Sequence, residues 1–194
     1  MAGLTISIHL PDSIIMALNL SELTQQKKKP SRWVLNRTVA SPLGEFPLEL
    51  SKDGKDPSPP DEEMLKRGAE LVRYVETHGE YLVDIVFGHY LFACELGWME
   101  SKSVPVGLTR EAIASQLRED RSLSVNRDLD LELDDLPPYE SFIYVVPLWD
   151  EGHGLSMLFQ DGKVVRVNEC LFALEDGVLR YLDEEEEEEE EEED

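Results

Sequence analysis

Two cysteines in 194 residues are too few for a disulfide framework. Cys94 and Cys170 each lie in an apolar stretch, Leu91-Phe92-Ala93-Cys94 and Cys170-Leu171-Phe172-Ala173, where a thiol behaves as a small buried hydrophobe. No apolar run approaches the roughly 20 residues that span a bilayer. The opening Met1-Ala2-Gly3-Leu4-Thr5 lacks the basic and apolar regions of an export signal, so a reducing cytoplasm is the expected address. Phosphate-loop and Rossmann glycine patterns are missing, as are C-x-x-C, H-E-x-x-H and EF-hand spacings, so no cofactor and no metal site is expected. Ser156 lacks the second glycine of a nucleophile elbow.

Cations are scarce as well. Eighteen Lys and Arg face 42 Asp and Glu, a net charge of −24. Residues 183–194 hold twelve acids and nothing else, which leaves −12 for the chain before them. The first forty residues run the other way at +3, through Lys27, Lys28, Lys29, Arg32 and Arg37 against Asp12 and Glu22. Direct nucleic-acid binders neutralise phosphates with cations, and binders of anionic lipid need basic patches, so both classes are disfavoured.

Leu4, Ile6, Ile8 and Leu10 alternate with polar residues as a half-buried strand does. Residues 14–20 suit strand or helix, and residues 25–31, rich in lysine, suggest a solvated loop. Residues 32–39 and 45–50 are strand candidates, with Pro47 marking an edge or bulge. Turn chemistry fills residues 52–60, and Ser58 before prolines and Asp61, Glu62 and Glu63 signals a helix start with a hydroxyl cap. Helical spacing follows through Met64, Leu65, Ala69, Leu71, Val72 and Val75, with a break at Gly79. Residues 82–94 are apolar on nearly every side, as in a buried helix, and Thr109 caps a short helix at 110–118.

Beyond it, Leu123, Val125, Leu129, Leu131 and Leu133 alternate with Asp128, Asp130, Glu132 and Asp134. As a strand this makes one apolar and one acidic face, its carboxylates about 6 to 7 Å apart. Residues 142–149 read as a central strand covered on both faces. Asp161-Gly162 and Asp176-Gly177 each join alternating apolar runs, the strongest short hairpin signal, and together they predict an antiparallel meander. The expected fold class is α+β: a mostly antiparallel sheet with a C-terminal β-meander and a helical insertion packed on one face. Residues 1–182 form one expected domain: N-terminal strands at 1–50, a linker at 51–60, a helical part at 61–120 and C-terminal strands at 121–182. Residues 183–194 are an expected disordered acidic tail.

Trp149-Asp150-Glu151-Gly152-His153-Gly154-Leu155 places two carboxylates and an imidazole on a glycine-flanked turn. Asp150 or Glu151 with His153 forms a candidate acid/base couple for a small hydrolase, against the alternative that Asp150 only caps the turn. His89 borders the buried helix face and reads as a satisfied core residue, and His78 ends a helix.

The stretch Phe142-Ile143-Tyr144-Val145-Val146-Pro147-Leu148-Trp149-Asp150-Glu151-Gly152-His153-Gly154-Leu155, with Asp161-Gly162-Lys163-Val164-Val165, resembles an uncharacterised bacterial domain family. Its members carry a strand, a W-D-x-E-H-G-L-like turn and a strand–DG–strand hairpin. The resemblance covers about a quarter of the chain and implies an immunity or accessory protein of bacterial conflict and defence systems, with no established catalytic residues. Gly152 stands where the pattern expects an acid. Charge and resemblance together lead to a non-catalytic acidic binding protein whose partner is a basic protein, such as a nuclease toxin or another nucleic-acid-binding protein. Asp128, Asp130, Glu132 and Asp134 are the expected docking row, because charge complementarity speeds encounter and excludes wrong partners.

Overall fold

A computed structural model describes residues 17–52, 56–97, 106–127, 139–150, 152–168, 170–175 and 178–181. A 3-10 turn at Leu20–Glu22, closed by reciprocal Asn19 and Glu22 side-chain bonds, leads into β1 (Leu23–Gln26) and β2 (Lys29–Leu35). These two strands pair antiparallel around a tight turn, so the lysine-rich segment expected to be a loop is a hairpin. Its lysines are compatible with pairing because they sit at the tip, exposed to water. The strand expected across residues 32–39 ends at Leu35, and Val39 opens β3 (Val39–Ser41), which pairs with β4 (Gly44–Phe46) as a separate small ribbon.

Pro47 divides the strand expected at residues 45–50, leaving β5 (Leu48–Ser51) in the main sheet. Far from being an edge, β5 lies between β2 and β6 (Ser122–Arg127). Proline carries no N–H, but its carbonyl accepts from Leu123 N at 2.8 Å, so the break costs the sheet little. β5 and β6 run parallel, and this is what positions the helices. Parallel neighbours need a long crossover, and α1 (Glu62–Thr77) and α2 (Gly79–Leu96) provide it. Every other pairing in the main sheet is antiparallel among the described residues: β6 with β7 (Tyr139–Val145), β8 (Leu155–Gln160), β9 (Lys163–Val167), β10 (Cys170–Glu175) and β11 (Val178–Tyr181) in sequence. The fold is α+β.

One row of the sheet shows where the core lies. Leu48, Leu123, Ile143, Met157 and Val167 are cross-strand neighbours on five successive strands, and all are fully buried beneath the helices. Burial of each such side chain is worth about 2 kcal/mol. Their neighbours one residue along, Glu49, Ser124, Phe142, Leu158 and Arg166, turn to the opposite, half-exposed face. β7 is therefore covered on one face, not two, since its apolar Phe142 and Tyr144 point away from the helices. The Asp161-Gly162 hairpin forms as expected, both residues at positive φ, 51° and 78°. Asp176-Gly177 lies outside the described residues.

α1 buries Met64, Leu71, Val72 and Val75 along one stripe, as their spacing predicts. Its cap is Asp61, not Ser58. Asp61 Oδ1 accepts from Met64 N at 3.0 Å, while Ser58 Oγ accepts from the buried Lys52. Asp61 Oδ2 meanwhile accepts from the Tyr139 hydroxyl at 2.7 Å and lies 3.4 Å from Arg127 Nη1. Burial works to raise the Asp61 pKa, but Met64 N–H, the Tyr139 hydroxyl, Lys52 and Arg127 together hold it below the ordinary carboxylate value. α2 buries Leu82, Ile85, Val86 and Tyr90, but Leu91 and Leu96 are exposed, so this helix is covered on one side only. Cys94 is half-buried. The helix expected at 110–118 is a 3-10 segment, Arg110–Gln116, without a capping bond from the Thr109 side chain to its backbone and with Ile113 turned fully inward.

A double role for Asp61 sets an order of stabilities. Asp61→Asn keeps an acceptor for Met64 N but loses the charge facing Arg127, whereas Asp61→Ala loses both. Urea unfolding should rank the parent above Asp61→Asn and Asp61→Ala lowest, the latter down by about 2 kcal/mol or more from a lost cap and an orphaned hydroxyl.

Candidate functional site

The turn after β7 is built by backbone bonds to the 3-10 segment. Arg118 N donates to Val146 O at 2.8 Å and Leu148 N to Gln116 O at 2.9 Å. Asp150 N donates to Pro147 O at 3.1 Å, and Gly154 N returns to Asp150 O at 3.0 Å. Between these points Trp149 is driven inward and is fully buried. It meets the Tyr90 ring edge-on at 5.4 Å, and the Tyr90 hydroxyl accepts from Gly107 N and Leu108 N at 2.9 and 3.1 Å. An aromatic anchor thus joins the turn to α2 and to the chain that follows it.

The Trp149 indole N–H donates to His89 Nδ1 at 3.1 Å. An indole nitrogen is only a donor, so His89 Nδ1 must be an acceptor and the ring proton must sit on Nε2. That nitrogen faces Asp150 Oδ2 at 3.9 Å. Desolvation lowers the His89 pKa, and Asp150 opposes the shift without cancelling it. A second proton on His89 would also set two donors against each other at Trp149. His89 is a core residue in its neutral form, as its place on the helix suggested.

On its other oxygen, Asp150 Oδ1 contacts His153 Nδ1 at 2.9 Å. The candidate couple therefore forms. A carboxylate only accepts, so the shared proton sits on His153 Nδ1. Glu151 lies outside the described residues. The His153 side chain is 79 % exposed, so proton transfer at this ring would take place in open water. Catalysis gains most where preorganised dipoles act in a site closed to water, and this turn is open. Among the described residues no three His, Cys, Asp or Glu side chains gather as a metal site would require. Gly154 has φ of +72°, and a Cβ there would overlap the Tyr144 hydroxyl and ring, so its glycine is a requirement of the turn. The described hydrogen bonds and packing fix the backbone of this turn and set Asp150 between the His89 and His153 rings. Sequence reasoning identified Asp150 and His153 but missed the link to His89, because a partner sixty residues away leaves no local spacing signal.

The second candidate, Asp128, Asp130, Glu132 and Asp134, lies outside the described residues, but the ends of the segment that carries it do not. Arg127 and Tyr139 are directly opposed as the last pair of β6 and β7. The Arg67 and Arg127 guanidinium groups each lie 5.6 Å from the Tyr139 ring centroid. Desolvation, then the bond to Asp61, pushes the Tyr139 pKa up to about 12. The base of the acidic segment is therefore a fixed node of Asp61, Arg67, Arg127 and Tyr139. Residues 128–138 contribute five acids and no base, and residues 183–194 contribute twelve acids, so 17 of the 24 net negative charges reside in two short segments.

Two outcomes follow from the turn. With the folded His89 pKa lowered, the unfolded chain takes up its proton first as the pH falls through 6.5; the stability is whole above that value and declines below it. His89→Gln keeps an acceptor for the indole and removes the titration, so its urea-unfolding free energy should fall less steeply than the parent's from about pH 7 to about pH 5. Gly154→Ala should cost about 2 kcal/mol or more by the same measurement, from the left-handed backbone and the Tyr144 overlap. A scan against protein-family models, a search of curated proteins and a search of solved structures each returned no match.

Proposed function

We propose that this chain is a non-catalytic acidic binding protein that docks on a basic protein partner, in the manner of an inhibitor, immunity or accessory protein. The observation that carries this reading is the segregation of charge. Seventeen of 24 net negative charges are concentrated in residues 128–138 and 183–194, and the first of these segments springs from the Asp61–Arg127–Tyr139 node. A charged segment whose flanking residues are fixed loses less freedom on docking than one with mobile flanks. Complementary charge speeds encounter with a cationic surface and selects against acidic competitors. A nuclease toxin or another nucleic-acid-binding protein presents such a surface in its positive groove. No described helix is long and apolar enough to cross a membrane, and this reading assigns the chain to the cytoplasm, where such partners act.

The alternative is a small hydrolase using Asp150, Glu151 and His153, favoured by the 2.9 Å contact of Asp150 with His153. Exposure of the imidazole weighs against it. His153→Ala separates the two readings, since it abolishes a hydrolase and leaves a docking protein intact.

The docking reading is tested by binding a purified basic partner, first recovered from native lysate at low salt. Exchanging Asp128, Asp130, Glu132 and Asp134 for Asn or Gln should weaken binding roughly 10- to 100-fold, at up to about 1 kcal/mol per screened pair. Salt should weaken the parent in the same direction. Loss of binding only when residues 183–194 are deleted, with the fourfold exchange silent, would remove the row from the interface. Recovery of no basic partner at low salt would overturn the reading.

A further inference from the structure

The helices pack on one face of the main sheet, and the opposite face is half-buried along β7 and β8. At its centre Phe142 and Leu158 are directly opposed across these two strands, with Tyr144 two residues further along β7. A sheet face turned to water carries polar residues, whereas a phenylalanine, a leucine and a tyrosine together suit a face that receives a second layer. Charge borders this apolar centre. Glu140 lies two residues before Phe142 on β7, and Lys163 on β9 is opposed to Gln160 of β8. None of the ion pairs among the described residues involves Glu140, Lys163 or Arg166, whereas Arg32 and Glu49 on the same face are joined at 2.8 Å.

Register indicates which second layer fits. A twofold axis parallel to the strands, midway between β7 and β8, lays β7 of one copy on β8 of another. Residues opposed within one sheet then meet between sheets: Phe142 on Leu158 of the second copy, Tyr144 on Ser156 and, one step beyond, Glu140 on Gln160. β9 of the second copy lies one strand spacing to the side, about 4.8 Å, which brings its Lys163 beside Glu140. Stacked sheets lie about 10 Å apart, a gap that a glutamate and a lysine close from the two sides. Every contact occurs twice by symmetry. The rival axis, perpendicular to the strands at Phe142, lays Glu49 on Glu49 and Arg166 on Arg166, since both share the cross-strand row of Phe142. Like charges in direct contact oppose that arrangement, and charge complementarity selects the first.

We propose that this sheet face is a homodimer interface, in which two copies stack β7 on β8 through Phe142 and Leu158. Such a contact is isologous, so assembly closes at two copies. The proposal goes beyond the docking reading: it uses none of residues 128–134 and requires no other protein.

Sedimentation velocity on the full chain tests it. With rising concentration the mean mass should climb from 22.1 kDa toward twice that value and stop there. Glu140→Lys and Lys163→Glu each set like charges side by side, twice per dimer, and each should weaken dimerisation roughly 10-fold. The double exchange E140K/K163E restores opposite signs across the interface and should return the affinity to within about 3-fold of the parent. Leu158→Ser removes the apolar contact without adding charge and should give single chains, with urea unfolding showing that the fold persists. Single chains of the parent at every concentration up to about 1 mM would overturn the proposal, whether a segment of the same chain or another protein then covers the face. Growth beyond two copies, single exchanges without effect, or a double exchange no tighter than the singles would overturn it as well.

Discussion

The parallel pairing of β5 with β6 is the constraint on which the rest of the structure depends. Antiparallel neighbours can be joined by a short turn, but two parallel neighbours require the chain to travel back over the sheet. The helical pair makes that journey, so α1 and α2 must lie on one face and the apolar row from Leu48 to Val167 must point toward them. Alternation along the strands then assigns every intervening residue to the other face. A single connection thereby decides which face is core and which is surface.

Asp61 holds this arrangement together at one end. One of its oxygens closes the first turn of α1, and the other receives the Tyr139 hydroxyl from the start of β7. The helix that crosses the sheet and the hairpin it crosses are registered by one carboxylate. Lys52 and Arg127 keep that carboxylate compensated, although a buried Arg127 Nε is left without a hydrogen-bond partner. At the opposite end of β7 the Trp149–His89 bond performs the corresponding task for α2. One lock joins α1 to the start of β7, and the other joins α2 to the turn that follows β7.

Charge is distributed on a different plan. The most acidic segments are connections and flanks, and the described strands and helices carry cations and anions in near balance. A folded body that is almost neutral avoids the self-repulsion of a high net charge.

Local pattern alone determined a good part of this protein. The α+β class, the α1 stripe, the Asp161-Gly162 turn and the core position of His89 each depend on a few neighbouring residues, and a periodicity or a turn dipeptide reports them directly. The Asp150–His153 contact was legible for the same reason, being three residues long. What tertiary structure alone decided involves partners far apart in the chain. The lysine segment became a hairpin because Leu23 and Leu35 face each other, and Pro47 became a divider because Phe46 and Leu48 belong to different sheets. Capping moved from Ser58 to Asp61 because the Tyr139 hydroxyl and Arg127 reward a carboxylate at that position, and no spacing rule contains them. Whether Asp150 and His153 form an enclosed site or an open turn was likewise a matter of solvent exposure, which depends on everything packed around them and is written in no single stretch of sequence.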